Sequence, residues 1–237
     1  MSRLYRLVIA IIVATSFATV SATAFEGFSI GIVGNASDFK TTGTETEGGY
    51  LSSSSTANET NSGSHSKSVE FPSVFIEYTG ASSGPFGVTF GIEYIPVITD
   101  IGAKTRSDTR AKDDQDDGDY TARAEISKHT SLYLEPTYMA NDNFGFYLKG
   151  GITSIEVKTR ELLAVGTDSS SYGDKAVTGF LFGGGITKRF DSGLYYKLEA
   201  VSTAYNSLTL TSTSGNKNII TADPSTVQAN FALGYRF

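Results

Sequence analysis

The chain has no cysteine and no tryptophan, and only two histidines among its 237 residues. Without cysteine there can be no disulfide, no thiol nucleophile and no thiolate-bound metal. After residue 24 no apolar run approaches the roughly 20 residues that a membrane-spanning helix needs. Basic residues are in the minority, 19 Lys and Arg against 25 Asp and Glu, which argues against nucleic acid as a partner. What the chain does have is glycine, 25 residues, and aromatic side chains, 15 Phe and 13 Tyr.

The first residues read as a targeting segment. Arg3 and Arg6 precede an apolar stretch from Leu7 to Val20, and Ala22-Thr23-Ala24 supplies a small-residue cleavage site. This pattern predicts a secretory signal peptide over 1–24 and a mature chain over 25–237. Losing Arg3 and Arg6 would move the formal charge from −6 to about −8.

Read in steps of two, the remaining chain alternates. Apolar positions of one parity face a second set of Gly, Ser and Thr with isolated charges. FSIGIV sets Phe28, Ile30 and Ile32 against Ser29 and Gly31. SVFIEY sets Val74, Ile76 and Tyr78 against Ser73, Phe75 and Glu77. The same holds in GVTFGIEY, HTSLYLEPTY, FGFYLKGGIT, TGFLFGGGIT, LYYKLEA and the terminal NFALGYRF. A period of two is that of a strand. Eight amphipathic strands of about ten residues with no helical period are the pattern of a membrane barrel, and Gly, Ser and Thr suit a narrow interior.

The connections alternate as well. Long polar tracts over 39–68, 98–121, 158–175 and 203–226 are separated by the short TGASSGPF, Ala140–Asn143 and Asp191-Ser192-Gly193. The expected fold is all-β: an eight-stranded antiparallel transmembrane β-barrel with four long extracellular loops and three short periplasmic turns. A ten-stranded variant would need a hairpin around Ile219-Ile220 or in the first long tract. Aromatic residues crowd the turn-side ends, at Phe28, Tyr78, Phe86, Tyr138, Phe144, Phe146, Phe190, Tyr235 and Phe237, as an interfacial girdle would.

The last strand carries the most specific motif. Phe231, Leu233, Tyr235 and Phe237 share one face, and the chain stops on an aromatic-x-aromatic pair. Here it resembles bacterial outer-membrane proteins, and among them the small eight-stranded barrels similar to the transmembrane domain of outer membrane protein A and to outer membrane protein X. The resemblance implies the outer membrane of a Gram-negative bacterium, recognition of the last strand by the barrel-assembly machinery, and outer-membrane lipids and lipopolysaccharide as surroundings. A barrel satisfies its own backbone, so a monomer is expected.

Charges on the inward parity are the candidate functional residues: Glu93, Glu135, Lys149, Lys197 and Glu199. They lie several residues from the turns, hence near mid-height, where an unpaired charge would be costly. If Ala140 pairs with Phe144, Glu135 falls opposite Lys149. A salt-bridged plug is the expectation, and a selectivity filter in a narrow channel is the alternative. No catalytic, cofactor-binding or metal-binding residue is assigned. KDDQDDGD, from Lys112, half-matches a calcium loop but has Gln115 at its third position and Ala124 where a bidentate Glu belongs. A solvated acidic loop tip is the simpler reading. His129-Thr130-Ser131 resembles the His-x-Ser strand of the outer-membrane lipid A deacylases, but its parity points His129 and Ser131 inward and no matching Glu follows. His65 reads as a solvated loop residue.

The function these features support is a structural or surface-recognition barrel with a plugged lumen. A narrow passive channel for small solutes is the second reading, and a lipid A-modifying enzyme the remote third.

Overall fold

The computed structural model describes residues 26–46, 60–108, 118–163, 172–213 and 219–237. Expectations that fall on the signal segment, or on Lys112 to Asp117 of the acidic tract, lie outside these residues. Ten strands follow in chain order: β1 (Gly27–Thr46), β2 (Thr60–Ser83), β3 (Phe86–Ile95), β4 (Thr99–Asp108), β5 (Gly118–Asn141), β6 (Phe144–Leu163), β7 (Asp174–Arg189), β8 (Leu194–Tyr205), β9 (Leu208–Thr211) and β10 (Ile219–Arg236).

Eight of them close a ring, β1-β2-β3-β5-β6-β7-β8-β10, and β10 pairs back onto β1. The other two do not add to the ring. β4 continues β3 and pairs only with β5, and β9 continues β8 and pairs only with β10. Ile219 and Ile220 therefore extend an existing hairpin. Every neighbouring pair is antiparallel.

Walking around the ring on paired residues measures its stagger. From Tyr205 the path runs through Gly179, Thr153, Ser131, Glu93, Phe75, Gly31 and Gly234, and returns to β8 at Tyr195, ten residues lower. With strands about 4.8 Å apart and about 3.3 Å per residue, that shear tilts them about 40° from the barrel axis.

Alternation sorts the side chains as the sequence indicates. Leu132, Leu134, Phe146, Leu148, Phe180 and Phe182 face outward, and Phe180 and Phe182 are two-thirds exposed. Outward-facing apolar side chains on a closed sheet have only one stable environment, the hydrocarbon of a membrane, where the ring leaves no backbone edge unpaired. The protein is an outer-membrane β-barrel of the Gram-negative type. At the turn-side rim aromatic rings pair off: Phe28 with Tyr78 at 4.8 Å, Phe86 with Tyr138 at 5.3 Å, and Tyr235 with Phe237 at 5.3 Å between centroids. The Phe237 amide donates to the Phe28 carbonyl at 2.9 Å, so the last residue is tied to the first strand.

Inside, large rings are accommodated by glycine on the facing strand. Phe75 pairs with Gly31, Tyr133 with Gly91, Tyr147 with Gly185 and Tyr195 with Gly234. A Cβ on Gly31, Gly91 or Gly234 would collide with the ring opposite. These four glycines are thus seats for neighbouring aromatic rings, which lie across the lumen wall and fill it.

The long tracts differ from expectation. Much of 39–68, 98–121, 158–175 and 203–226 is strand, since β1 and β2 stay paired up to Thr46 and Thr60 and β5 and β6 up to Tyr120 and Leu163. Ser, Thr and Gly in β1 and β2, and charged residues among apolar ones in β4, β5 and β6, leave these segments without a clear period of two, yet their backbones still pair. Above the apolar belt the wall therefore continues as two sheets, β9-β10-β1-β2 and β4-β5-β6-β7. Phe39, Phe71, Ile95, Ile126, Ile155, Val157, Val177, Tyr205, Leu208 and Leu210 pack between them as one buried apolar layer.

Candidate functional site

The inward charges meet in one layer of the lumen. Lys197, on β8, reaches Glu77 Oε1 at 2.5 Å and Glu135 Oε2 at 2.6 Å. Lys149, on β6, lies 3.0 Å from Glu199 Oε1, 3.4 Å from Glu93 Oε2 and 3.8 Å from Glu135 Oε1. Glu135 is therefore the carboxylate that both ammonium groups share. All five residues singled out from the sequence face inward, and four of them, Glu135, Lys149, Lys197 and Glu199, are buried below a tenth of their surface.

The pairing is not the one that strand register suggests. Leu134 pairs with Gly150 and Thr137 with Tyr147, so Glu135 and Lys149 do stand level on adjacent strands. Their turn differs in detail: Asn141, not Ala140, pairs with Phe144, and Ala140 occupies a bulge. The shortest bonds, however, run across the lumen between strands that are not neighbours. A lysine side chain is long enough to span an interior this narrow.

Glu77 is the member absent from the sequence-based set. Its parity is inward, but in the sequence it stands next to the stretch TGASSGPF read as a turn, whereas β2 runs on to Ser83. In the barrel it is buried and its two oxygens accept from three donors: the Tyr133 hydroxyl at 2.8 Å, the Tyr195 hydroxyl at 2.9 Å and Lys197. Tyr147 donates to Glu199 Oε2 at 2.8 Å and Asn230 to Glu199 Oε1 at 2.9 Å. Ser73 donates to Glu93 Oε1 at 2.5 Å, and Asn35 to Ser73 at 3.0 Å. The Lys149 ammonium also stands 4.1 Å above the Tyr133 ring. These donors supply most of the hydrogen bonds that a buried charge layer needs, while Glu135 Oε1 is left with the 3.8 Å approach of Lys149 alone.

Four carboxylates against two ammonium groups leave an excess of negative charge. Arg189 and Arg236 line the same space on its turn side, together with Glu77, Glu135 and Lys197. Their guanidinium groups bring the acid and base counts of the lumen level. Among the described residues this space holds small cavities of about 10 and 20 Å³, each room for about one water.

Above the charges, His129 Nε2 and Ser131 Oγ both lie 2.9 Å from Thr153 Oγ1. Both side chains face the lumen and are buried. Thr153 stands between them on the lumen side of the wall. Immediately above begins the apolar layer of Phe71, Ile95, Ile155 and Tyr205.

The terminal motif residues are spread over one outward row. Phe231 and Leu233 are about half exposed toward lipid, and Tyr235 and Phe237 join the turn-side aromatic rim.

No protein family matches the chain, and no curated protein matches it. Among solved structures, the Escherichia coli outer membrane protease OmpT is similar at 9% identity and a TM-score of 0.48, over 94% of this chain and 100% of that one. The Pseudomonas aeruginosa outer membrane protein OprG is similar at 12% identity and 0.43, over 90% and 98%. Ail, the attachment invasion locus protein of Yersinia pestis, is similar at 9% identity and 0.34, over 85% and 98%. At such values the likeness carries no argument about activity, which rests on this chain's own residues.

Proposed function

We propose that the protein is a closed, non-catalytic outer-membrane barrel whose task lies at the cell surface, in structure or recognition by the two sheets above the membrane. The observation that carries this reading is the double closure of the lumen: a buried charge layer around Glu135, Lys149 and Lys197, and an apolar layer above it. An ion crossing it would have to displace bonded charges and then pass aliphatic side chains, with no wide aqueous path between them. The buried position of His129 and Ser131 supports a role without lipid hydrolysis. Outer-leaflet lipid and lipopolysaccharide surround the belt, the assembly machinery reads the strand from Phe231 to Phe237, and the barrel acts as a monomer.

Liposome swelling tests this. Vesicles carrying the refolded protein should swell no faster in isotonic sugar than empty ones. Swelling that scales inversely with sugar size would favour a passive channel instead. A shift of lipid A mass by one acyl chain on expression would favour an enzyme.

A further inference from the structure

The barrel wall has a seam. The ladder between β2 and β3 ends at the rung from Val74 to Tyr94. In the same register the next outward rung would join Pro72 to Pro96, and neither residue has an N–H to donate. Above it β2 runs on to Thr60, paired on its other side with β1, and β4 runs on to Asp108, paired on its other side with β5. Among the described residues no backbone rung joins β2 to β4. The two strands still run side by side, and side chains join them. Lys67 reaches Asp100 at 3.0 Å, Arg123 reaches the other Asp100 oxygen at 2.6 Å, and His65 packs so closely on Gly102 that a Cβ there would collide with it.

The place and the lining of this seam point to its occupant. Its outer lip is apolar and exposed: Tyr94, Val97 and Ile98, the last at 61%. It begins one outward position beyond Tyr94, which lies in the lipid-facing belt, so it opens at the outer edge of the hydrocarbon. Its inner side is the apolar layer, with Phe71 and Ile95 at its lip and Val69 and Ile101 packed on it. An open sheet edge in hydrocarbon costs several kcal/mol for each unsatisfied group. Two facing prolines lower that cost by removing the donors where the edge meets lipid. With no backbone rung between them, the two strands are held together across the seam by side-chain contacts alone, which part at a lower cost than a hydrogen-bonded ladder.

We propose that the seam between β2 and β4 is a lateral portal. An acyl chain of an outer-leaflet lipid enters between Pro72 and Pro96 and lies against Phe71 and Ile95, with the Lys67–Asp100–Arg123 group as the latch above it. The portal opens sideways into the apolar layer, above the charge layer, so it leaves the lumen closed to ions.

The absence of tryptophan and cysteine makes the test clean. Single-tryptophan variants of the full-length mature chain are refolded into vesicles of brominated phosphatidylcholine, and folding is checked by the heat-dependent shift in gel mobility. Leu148→Trp, on the lipid face, gives full quenching by bromine, and Phe75→Trp, inward on β2 below the seam, gives the background. Phe71→Trp is expected to be quenched clearly above that background. Joining Lys67→Cys to Asp100→Cys with a short thiol cross-linker should return it to background, and Asp100→Asn should raise it. If Phe71→Trp fails to fold, Ile95→Trp takes its place with the same expectation. Quenching at background in whichever variant folds, or quenching that the cross-link leaves unchanged, would overturn the portal.

Discussion

Lys197 and Glu135 meet at 2.6 Å although they sit on β8 and β5, which are not neighbours in the ring. The bond spans the lumen and fixes its width as much as its charge. Removing Lys197 leaves Glu77 and Glu135 facing each other in a buried site. Lys197→Met should destabilise the refolded barrel by about 3–5 kcal/mol, and by less if water enters the gap. In urea double-mutant cycles, Lys197→Met with Glu135→Gln should couple more strongly than Lys149→Met with Glu135→Gln, whose atoms are 3.8 Å apart. The reverse order would mean that the shared carboxylate belongs to Lys149.

The glycine seats can be probed without touching a charge. Gly91→Ala forces the Tyr133 ring off its seat and weakens its bond to Glu77, at a cost of about 1–3 kcal/mol. Gly150→Ala faces open space outside and should be near neutral. Equal effects in urea unfolding would show that ring and glycine do not interlock.

The orientation of the wall has its own check. Leu148 is 57% exposed and its neighbour Lys149 is buried at 4%. Leu148→Arg near mid-membrane should cost about 2–4 kcal/mol. A lipid-phase thiol probe should label Leu148→Cys and leave Lys149→Cys unlabelled; the opposite pattern would turn the barrel inside out.

These features were unevenly legible in the sequence. The belt, the three turns and the inward charges follow from parity, because apolar and polar residues alternate wherever lipid lies on one side. Parity cannot be carried upward from His129 along β5, for a local reason. Ser127 and Thr130 flank a bulge at which Lys128 has φ of 51°, and above it Ile126 points inward into the apolar layer. The strand extensions were hidden because Ser, Thr and Gly fill both faces in β1 and β2, and charged residues interrupt the alternation in β4, β5 and β6. Glu77 carried the right parity but bordered the stretch TGASSGPF, which reads as a turn although β2 continues through it to Ser83. The partner of Lys197 was beyond reach, since register specifies adjacent strands and this bond crosses between distant ones. The seam was half visible: Pro72 and Pro96 can be read, but their opposition needs the register.

The latch above the seam lies outside the membrane belt and should respond to acid. The hydrogen bond from Lys67 holds the Asp100 carboxyl below the usual carboxylate range, and Arg123 adds to it, while Glu125 competes for Arg123 and His65 packs nearby. A depressed folded pKa means that the latch contributes its full stability above the ordinary carboxylate value and loses it as pH falls through the depressed one. Bromine quenching of Phe71→Trp should therefore rise below about pH 4, and Asp100→Asn should abolish that rise. A rise that persists in Asp100→Asn would place the acid response elsewhere.

The closed lumen is the claim on which the rest depends, and single-molecule conductance reads it directly. Refolded protein in a planar bilayer at high salt should give no regular steps at any moderate voltage. Removal of both ammonium groups of the charge layer by Lys149→Ala and Lys197→Ala should still give none in barrels that refold, while the layer of Phe71, Ile95 and Ile155 remains above it. Stable steps in the nanosiemens range from the unaltered protein would contradict the closure, and with it the surface role proposed for the barrel.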